Sequence, residues 1–334
     1  MEDNKPIWPE ESKGFCDLHE NLMLWYGPPK IGKTTFGSQF PAALFLLTED
    51  GAKHLHVKAW RVRNWQEFCG KVDLIEKNIK DCPFQNVIID TVDNLSDMCT
   101  EFTCGKLGVA DLTDAEWGKG FAAFTREFKK QVNRLVRLGL GVGFISHAEE
   151  KTVKADSITN PYAPGKANEK GEVSITVPTM EKRVRKFVLG LVDMILYMTV
   201  RGKGTKIERV IYTKPTLSFE AGDRTGRLPE VLPLDFNALI NAYYGNGNGS
   251  GRDAIIERIN KAEQYLVAES VDGFEDPSGE RMMNSRRSTI GTDDLHDDSV
   301  PMEKLQELLQ KYTMKYKNHK KAKKEKDNAV SGNE

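Results

Sequence analysis

The sequence predicts an α/β fold built on a largely parallel sheet flanked by helices, and three observations carry that prediction. Apolar runs of strand length alternate with amphipathic stretches of helical period, the pattern that places helices over a parallel sheet. The run Gly27-Pro28-Pro29-Lys30-Ile31-Gly32-Lys33-Thr34-Thr35 fits G-x-x-x-x-G-K-[ST] and follows the apolar Leu22-Met23-Leu24-Trp25-Tyr26 directly. A later run, Val87-Ile88-Ile89-Asp90, ends in an aspartate. A phosphate-binding loop needs a strand before it and a helix after it, and both are in place.

Taken in order, residues 22–26 form the first core strand. The loop's glycines let backbone N–H groups close around phosphates, Lys33 reaches the β- and γ-phosphates, and the Thr34 hydroxyl ligates Mg²⁺ at a helix N-terminus. Nine residues, Gly27, Pro28, Pro29, Lys30, Ile31, Gly32, Lys33, Thr34 and Thr35, are therefore expected to cradle ATP with its Mg²⁺. A second strand, Ala42-Ala43-Leu44-Phe45-Leu46-Leu47, ends in the acidic tip Thr48-Glu49-Asp50-Gly51. Trp65, Phe68, Val72, Ile75 and Ile79 recur at three and four residues and predict an amphipathic helix. Asp90, closing the third strand, is the expected metal-shell carboxylate; the alternative is an aspartate that caps a turn. Thr91 follows it, so a catalytic base has to come from elsewhere. Glu49 is the candidate, with Asp50 as fallback, because one strand separates the loop strand from the Asp90 strand in the chain and its tip would lie beside the γ-phosphate. The other reading makes Glu49 or Asp50 a helix cap.

Phe121, Phe124, Phe128, Val132 and Leu135 mark a further helix, which leads into a fourth strand, Val142-Gly143-Phe144-Ile145-Ser146-His147. Residues 194–200 and 209–214 supply two more. Beyond them Gly245-Asn246-Gly247-Asn248-Gly249-Ser250-Gly251 reads as a flexible linker. The division expected is an N-terminal arm at 1–20, a core at 21–245, a linker at 246–251 and an extension at 252–334. Within the extension Ile255, Ile256, Ile259, Ala262 and Leu266 suggest a helix, 269–300 reads as disordered, and a basic tail follows a helix begun by Met302, Leu305, Leu308 and Leu309. That tail is either solvated or an electrostatic attachment to nucleic acid.

The five cysteines, Cys16, Cys69, Cys82, Cys99 and Cys104, include no C-x-x-C pair, which argues against a disulfide framework or zinc site. The opening Met1-Glu2-Asp3-Asn4-Lys5 leads into no signal-type apolar run, and no stretch approaches the ~20 apolar residues of a membrane span. A cytoplasmic protein without a membrane partner is expected. The net charge of −1 discriminates little, since charge is unevenly spread.

The glycine-proline start and Gly-Lys-Thr-Thr end of the loop, the acidic tip of the next strand and Asp90 without an adjacent glutamate resemble the RecA-like ATPases. More narrowly, Gly-Pro-Pro-Lys-Ile-Gly-Lys-Thr-Thr, Leu-Thr-Glu-Asp-Gly, Ile-Ile-Asp-Thr-Val-Asp-Asn-Leu and Phe-Ile-Ser-His-Ala-Glu-Glu-Lys are similar to short RecA-core ATP-binding proteins encoded by bacteriophages, some of which are single-strand annealing recombinases. The resemblance covers roughly residues 20–245. It implies a RecA-like P-loop NTPase core, phosphate and Mg²⁺ contacts at Lys33 and Thr34, the metal shell at Asp90, the attacking water at Glu49 and γ-phosphate sensing at His147. It further implies single-stranded DNA as partner, a homo-oligomeric ring or filament, a single-strand-binding protein as a further partner, and a location in the cytoplasm of an infected host. Relatives place a Lys-x-Arg pair after the last strand; here Gly222 takes the lysine's place, leaving Arg224 as an arginine finger in trans or as a turn residue. DNA contacts are expected from two loops, one at 96–119 with Lys106 and Lys119, the other at 149–180 with Lys151, Lys154, Lys166 and Lys170, leading to Lys182 and Arg183. The alternative for the last two is the solvated face of a helix. Two competing functions stay open: a nucleotide-dependent assembly protein with little hydrolysis, and a small-substrate P-loop kinase, which fits less well for want of an Arg-rich lid.

Overall fold

The computed structural model describes residues 18–49, 54–154, 172–203, 206–244 and 251–271, and beyond these 274, 279–297, 299–301, 304–305, 307–309, 311–316, 318–319 and 323. The chain divides into two compact units. The first comprises Met1–Pro29, Lys33–Lys151 and Thr176–Ile195, and the second Lys30–Gly32, Thr152–Ile175 and Leu196–Glu334.

The first unit holds the core expected from the apolar runs. β1 (Leu22–Gly27), β2 (Ala43–Leu47), β3 (Lys58–Arg61), β4 (Asn86–Asp90) and β5 (Gly141–Lys154) lie in the order β1-β5-β4-β2-β3. All neighbours in that set are parallel, with Leu22 beside Val142, Asn86 beside Gly141 and Leu47 beside Asp90. Strand side chains alternate between two covered faces. Trp25 and Phe45 pack on the face of α1 (Lys33–Ser38), where Trp25, Phe36 and Phe40 form an aromatic cluster. Leu24, Leu44, Leu46, Val87, Ile89, Val142 and Phe144 pack on the other, beneath α2 (Trp65–Lys77), α3 (Val92–Leu107), α4 (Lys119–Val136) and α5 (Lys182–Leu191). Asn64 caps α2 by accepting from the Glu67 N–H at 2.9 Å. Gly143 permits the close fit of Trp25: a Cβ there would stand 2.4 Å from the indole.

Several expectations need correction. Not one strand but two, β2 and β3, separate the loop strand from the Asp90 strand in the chain, and in the sheet β5 lies between them. β3 is short, exposed and bears charged residues, which hid it from a reading by apolar runs. Residues 96–107 belong to α3 rather than to a loop, with Val92, Leu95 and Cys99 buried at helical spacing among the polar Ser96 and Thr103. The fourth strand does not end at His147. It runs on to Lys154, and β6 (Glu172–Pro178) pairs with it, so 149–154 and 172–178 are strand. Lys166 and Lys170 and the side chain of Lys154 lie outside the described residues.

β7 (Met194–Lys203) carries the chain into the second unit, where it pairs antiparallel with β8 (Lys206–Tyr212), and β8 with β10 (Val231–Pro233). β9 (Gly222–Asp223) pairs with β7. The fold is thus a mostly parallel mixed α/β architecture rather than a wholly parallel one. α6 (Phe236–Tyr244), α7 (Gly251–Ala268) and α8 (Glu280–Ile290) follow. Of the expected linker only Gly251 is described, and it begins α7. α8 occupies part of the stretch read as disordered, anchored by Arg286, whose Nε donates to the buried Glu263 at 2.8 Å. Leu305, Leu308, Leu309 and Tyr312 are buried on the following helical turns, and Lys323 pairs with Glu269 at 2.7 Å, so the described part of the basic tail is folded and partly neutralised. Cys69, Cys82, Cys99 and Cys104 are free thiols; burial pushes that of Cys69 up to about 11, which suits packing rather than chemistry. No helix of the described residues is long and apolar enough to cross a membrane.

Candidate nucleotide site

The site forms at the C-terminal ends of β1, β4 and β2 and beside the middle of β5. The loop after β1 turns through two left-handed residues, Lys30 (φ 65°) and Gly32 (φ 119°), before α1 begins at Lys33. Alternation of that kind lets successive N–H groups face one point, which makes an anion-binding concavity. Trp25 steadies the start of α1 by donating from Nε1 to the Lys33 carbonyl at 3.1 Å.

Lys33 is buried, and its Nζ donates to the carbonyls of Gly27 at 2.8 Å and Pro28 at 3.0 Å. Loss of solvation lowers its pKa, while the carboxylates of Asp90, Asp93 and Glu49 counteract the shift. The Thr34 hydroxyl donates to Asp90 Oδ2 at 2.8 Å. Asp90, last residue of β4, is almost fully buried, and desolvation pushes its carboxyl up to about 6 despite the Thr34 bond. A buried cation inside the loop next to a hydroxyl–carboxylate pair is the donor set that a triphosphate with Mg²⁺ requires, so these residues fit that group. Among the described residues no cluster of three or more His, Cys, Asp or Glu could hold a metal by itself.

His147 joins the two sides. Its Nδ1 lies 3.4 Å from Lys33 Nζ and its Nε2 lies 3.6 Å from Glu49 Oε2. Because an ammonium only donates, Nδ1 accepts and Nε2 carries the hydrogen that faces Glu49. The Glu49 contact raises the histidine's pKa above its ordinary 6.5, with burial and Lys33 opposing, and the same contact lowers that of Glu49. The structure therefore brings together Lys33, Thr34, Glu49, Asp90 and His147. Asp50 lies outside the described residues.

Asp93 is a site residue that the sequence reading missed. Its buried carboxylate accepts from Ser146 Oγ at 2.6 Å and from the His147 backbone N–H at 2.7 Å, fixing the part of β5 that presents the imidazole. It lies in the quoted Asp-Thr-Val-Asp-Asn-Leu, three residues after Asp90, where only its place on the first turn of α3 distinguishes it. Thr48 is a second such tie, accepting from the Thr91 N–H at 2.7 Å and donating to the Thr91 carbonyl at 2.9 Å.

The expected DNA contacts are more dispersed. Lys151 pairs with Glu149 at 2.6 Å, and Arg185 approaches the same carboxylate at 3.8 Å, so part of the positive charge there is neutralised. Lys182 is exposed at the start of α5, and Arg183 stacks on Phe121 at 3.9 Å while contacting Glu181 at 3.1 Å. Arg224 belongs to the second unit, on an exposed turn where the Asp223 carboxylate accepts from the N–H groups of Thr225 and Leu228.

Comparison with known proteins adds three findings. A family model described as an AAA domain matches residues 19–225. The SPbeta prophage-derived uncharacterized protein YorG of Bacillus subtilis (strain 168) is 26% identical over 198 residues, 58% of this chain and 55% of that protein. The chain thus spans about half the length of that curated relative. A KaiC-like protein of Pyrococcus horikoshii OT3 aligns at 13% identity and a TM-score of 0.33 over 58% of this chain and 78% of the other, a likeness too distant to carry an argument.

Proposed function

Because the chain belongs to the AAA domain family, as a nucleotide-binding domain of P-loop ATPase type, we propose that it hydrolyses ATP and acts on single-stranded DNA in phage recombination, annealing or replication. The observation that carries the hydrolytic part is the continuous contact from Lys33 through His147 to Glu49, beside the Thr34–Asp90 pair. Lys33 supplies fixed positive charge to the triphosphate, and the loop's N–H groups orient it. Thr34 and Asp90 are the residues that would hold Mg²⁺, which would supply further positive charge against the negative charge developing on the phosphates. Glu49 accepts the proton of the attacking water, and His147 holds the carboxylate in place and senses the γ-phosphate. Arg224 acts as an arginine finger on the neighbouring subunit of a ring or filament. Lys151, Lys154, Lys166, Lys170, Lys182 and Arg183 hold the DNA backbone without regard to sequence. The prophage source named for the YorG protein supports the phage setting.

A second reading has an observation of its own. His147 keeps the Glu49 carboxylate below its usual range and so makes it a weaker base, which favours a nucleotide-dependent assembly protein with little turnover.

ATP hydrolysis measured with and without single-stranded DNA, against a Lys33→Ala control, separates these readings. Turnover that rises on adding DNA and vanishes in the control is the expected result. Nucleotide binding without turnover would leave the assembly reading, and turnover indifferent to DNA, with no DNA bound, would remove the DNA role.

A further inference from the structure

We infer that the first unit carries a self-complementary docking surface, through which two copies of the chain associate about a two-fold axis. One half of the surface is a knob. Trp117 is 94% exposed and sits at φ 55°, a left-handed conformation that bulky side chains rarely adopt, directly before Gly118 at φ 70°. Holding a tryptophan there costs on the order of 1–2 kcal/mol, and among the described residues the ring buries almost nothing in return. Asp111, Asp114 and Glu116 precede it within six residues of the chain, and Lys119 follows two residues after it. These carboxylates repel phosphates, so the knob is poorly suited to nucleic acid.

The other half is a groove of about 510 Å³ between α4 and α5, and its charged lining residues, Lys129, Arg183 and Lys186, are all cations. One lining residue is aromatic, Phe187, with Lys129 over its ring at 5.3 Å, and the lining Arg183 stacks on the neighbouring Phe121. Gly190 leaves one wall open, with nothing within 4 Å of where its Cβ would stand. An indole entering that groove gains stacking on guanidinium and ring, worth about 0.5–2 kcal/mol per pair. The carboxylates flanking the indole then meet Lys129 and Lys186, Arg183 being paired with Glu181. Knob and groove are complementary in aromatic character and charge.

The knob and one wall of the groove also lie close together in the chain. Trp117 lies just ahead of α4, and Thr125 and Lys129 of the groove follow roughly 12–18 Å along its axis at 1.5 Å per residue. A two-fold contact seats both knobs in both grooves at once, whereas a head-to-tail contact satisfies only one pair per interface. Each tryptophan buries about 150–250 Å². Two knobs with their grooves fall short of the ~1,600 Å² of a standard interface, so association is expected at micromolar concentration. This inference does not rest on the proposed DNA role.

The test is the mass of the full chain by sedimentation at about 50 μM, near the micromolar range expected of so small an interface. Wild type should show twice the mass of Trp117→Ala and of Gly190→Leu, and Lys129→Glu should raise the dissociation constant at least tenfold. Trp117→Ala relieves a strained position, and Gly190→Leu places a side chain in open space on a helix, so both should fold. Unchanged thermal shifts on adding ATP would verify this. Equal masses for wild type and both variants would overturn the inference. So would equal masses accompanied by tenfold weaker oligo-dT binding in Gly190→Leu alone, which would give the groove to nucleic acid.

Discussion

Asp90 answers to two opposed demands, since folding disfavours its charge and metal binding requires it. Its carboxyl titrates near 6 rather than 3.8, so between those values the folded state holds more protons than the unfolded one. Stability from this group therefore falls as pH rises from about 4 to 6, by up to about 3 kcal/mol for a shift of roughly two units. Asp90→Asn should melt higher than wild type at pH 8 and alike at pH 4, while losing the stabilisation that ATP with Mg²⁺ gives the wild type. Thermal melts at both pH values, with and without nucleotide, check this; a lower melting temperature at pH 8 would show that the Thr34 bond outweighs desolvation. Glu49 and His147 behave differently. The raised histidine contributes stability that is complete below 6.5 and lost as pH climbs through its folded value. The lowered glutamate contributes stability present above 4.5 and lost as pH falls through its folded value. About a third of each side chain faces water, which holds the pair to under about 1 kcal/mol. Its effect on rate is larger. Glu49→Gln should keep ATP affinity and lower turnover at least a hundredfold, whereas His147→Gln should abolish the rise in turnover expected as pH climbs through the histidine's raised value and the imidazole loses its extra proton. An unchanged pH profile in His147→Gln would remove the imidazole from the proton path.

At the level of elements, the fit of β1 against β5 decides how firmly α1 is presented. Gly143→Ala would drive a methyl group to 2.4 Å from the Trp25 indole, whose Nε1 holds the first carbonyl of α1. Overpacking of this kind costs about 1–3 kcal/mol. The variant should melt several degrees lower and bind ATP more weakly; a melting curve superimposable on wild type would mean that the indole moves aside freely. The same elements show what a sequence can and cannot tell. β1, β2, β4 and the start of β5 were legible because strands buried on both faces are continuous apolar runs, and α2 and α4 because their buried side chains recur at helical spacing. Lys33, Thr34 and Asp90 were legible because their chemistry is fixed by position relative to strand ends. β3 was not, since a short exposed strand with charged residues shows no apolar run, and β6 was not, since it alternates polar and apolar residues and shows no continuous run either. Asp93 was not, because its partners Ser146 and His147 lie more than fifty positions away, and only the sheet order brings them together.

On the scale of the whole molecule, the AAA domain match ends at residue 225, while the described chain continues into helices with a core of their own. If DNA is held by the 149–186 segment, affinity should follow salt with a log–log slope of about −0.7 per neutralised phosphate. Replacing Lys151, Lys182 and Arg183 should then flatten the slope more than removing residues 311–334 does. The reverse ranking, measured by titration at several salt concentrations, would assign the DNA to the tail. β5 runs from the nucleotide end of the sheet into this segment. At 14 residues it is about 45 Å long, beside parallel neighbours of five and six. His147 is the seventh of its fourteen residues, where Asp93 ties the strand to α3, and β6 pairs with it beyond that point. A ligand held at the outer residues that shifted the strand would shift the imidazole with it. Thermodynamic linkage then fixes the exchange rate, because any factor by which a ligand gripping the far end changes ATP affinity is the factor by which ATP changes that grip.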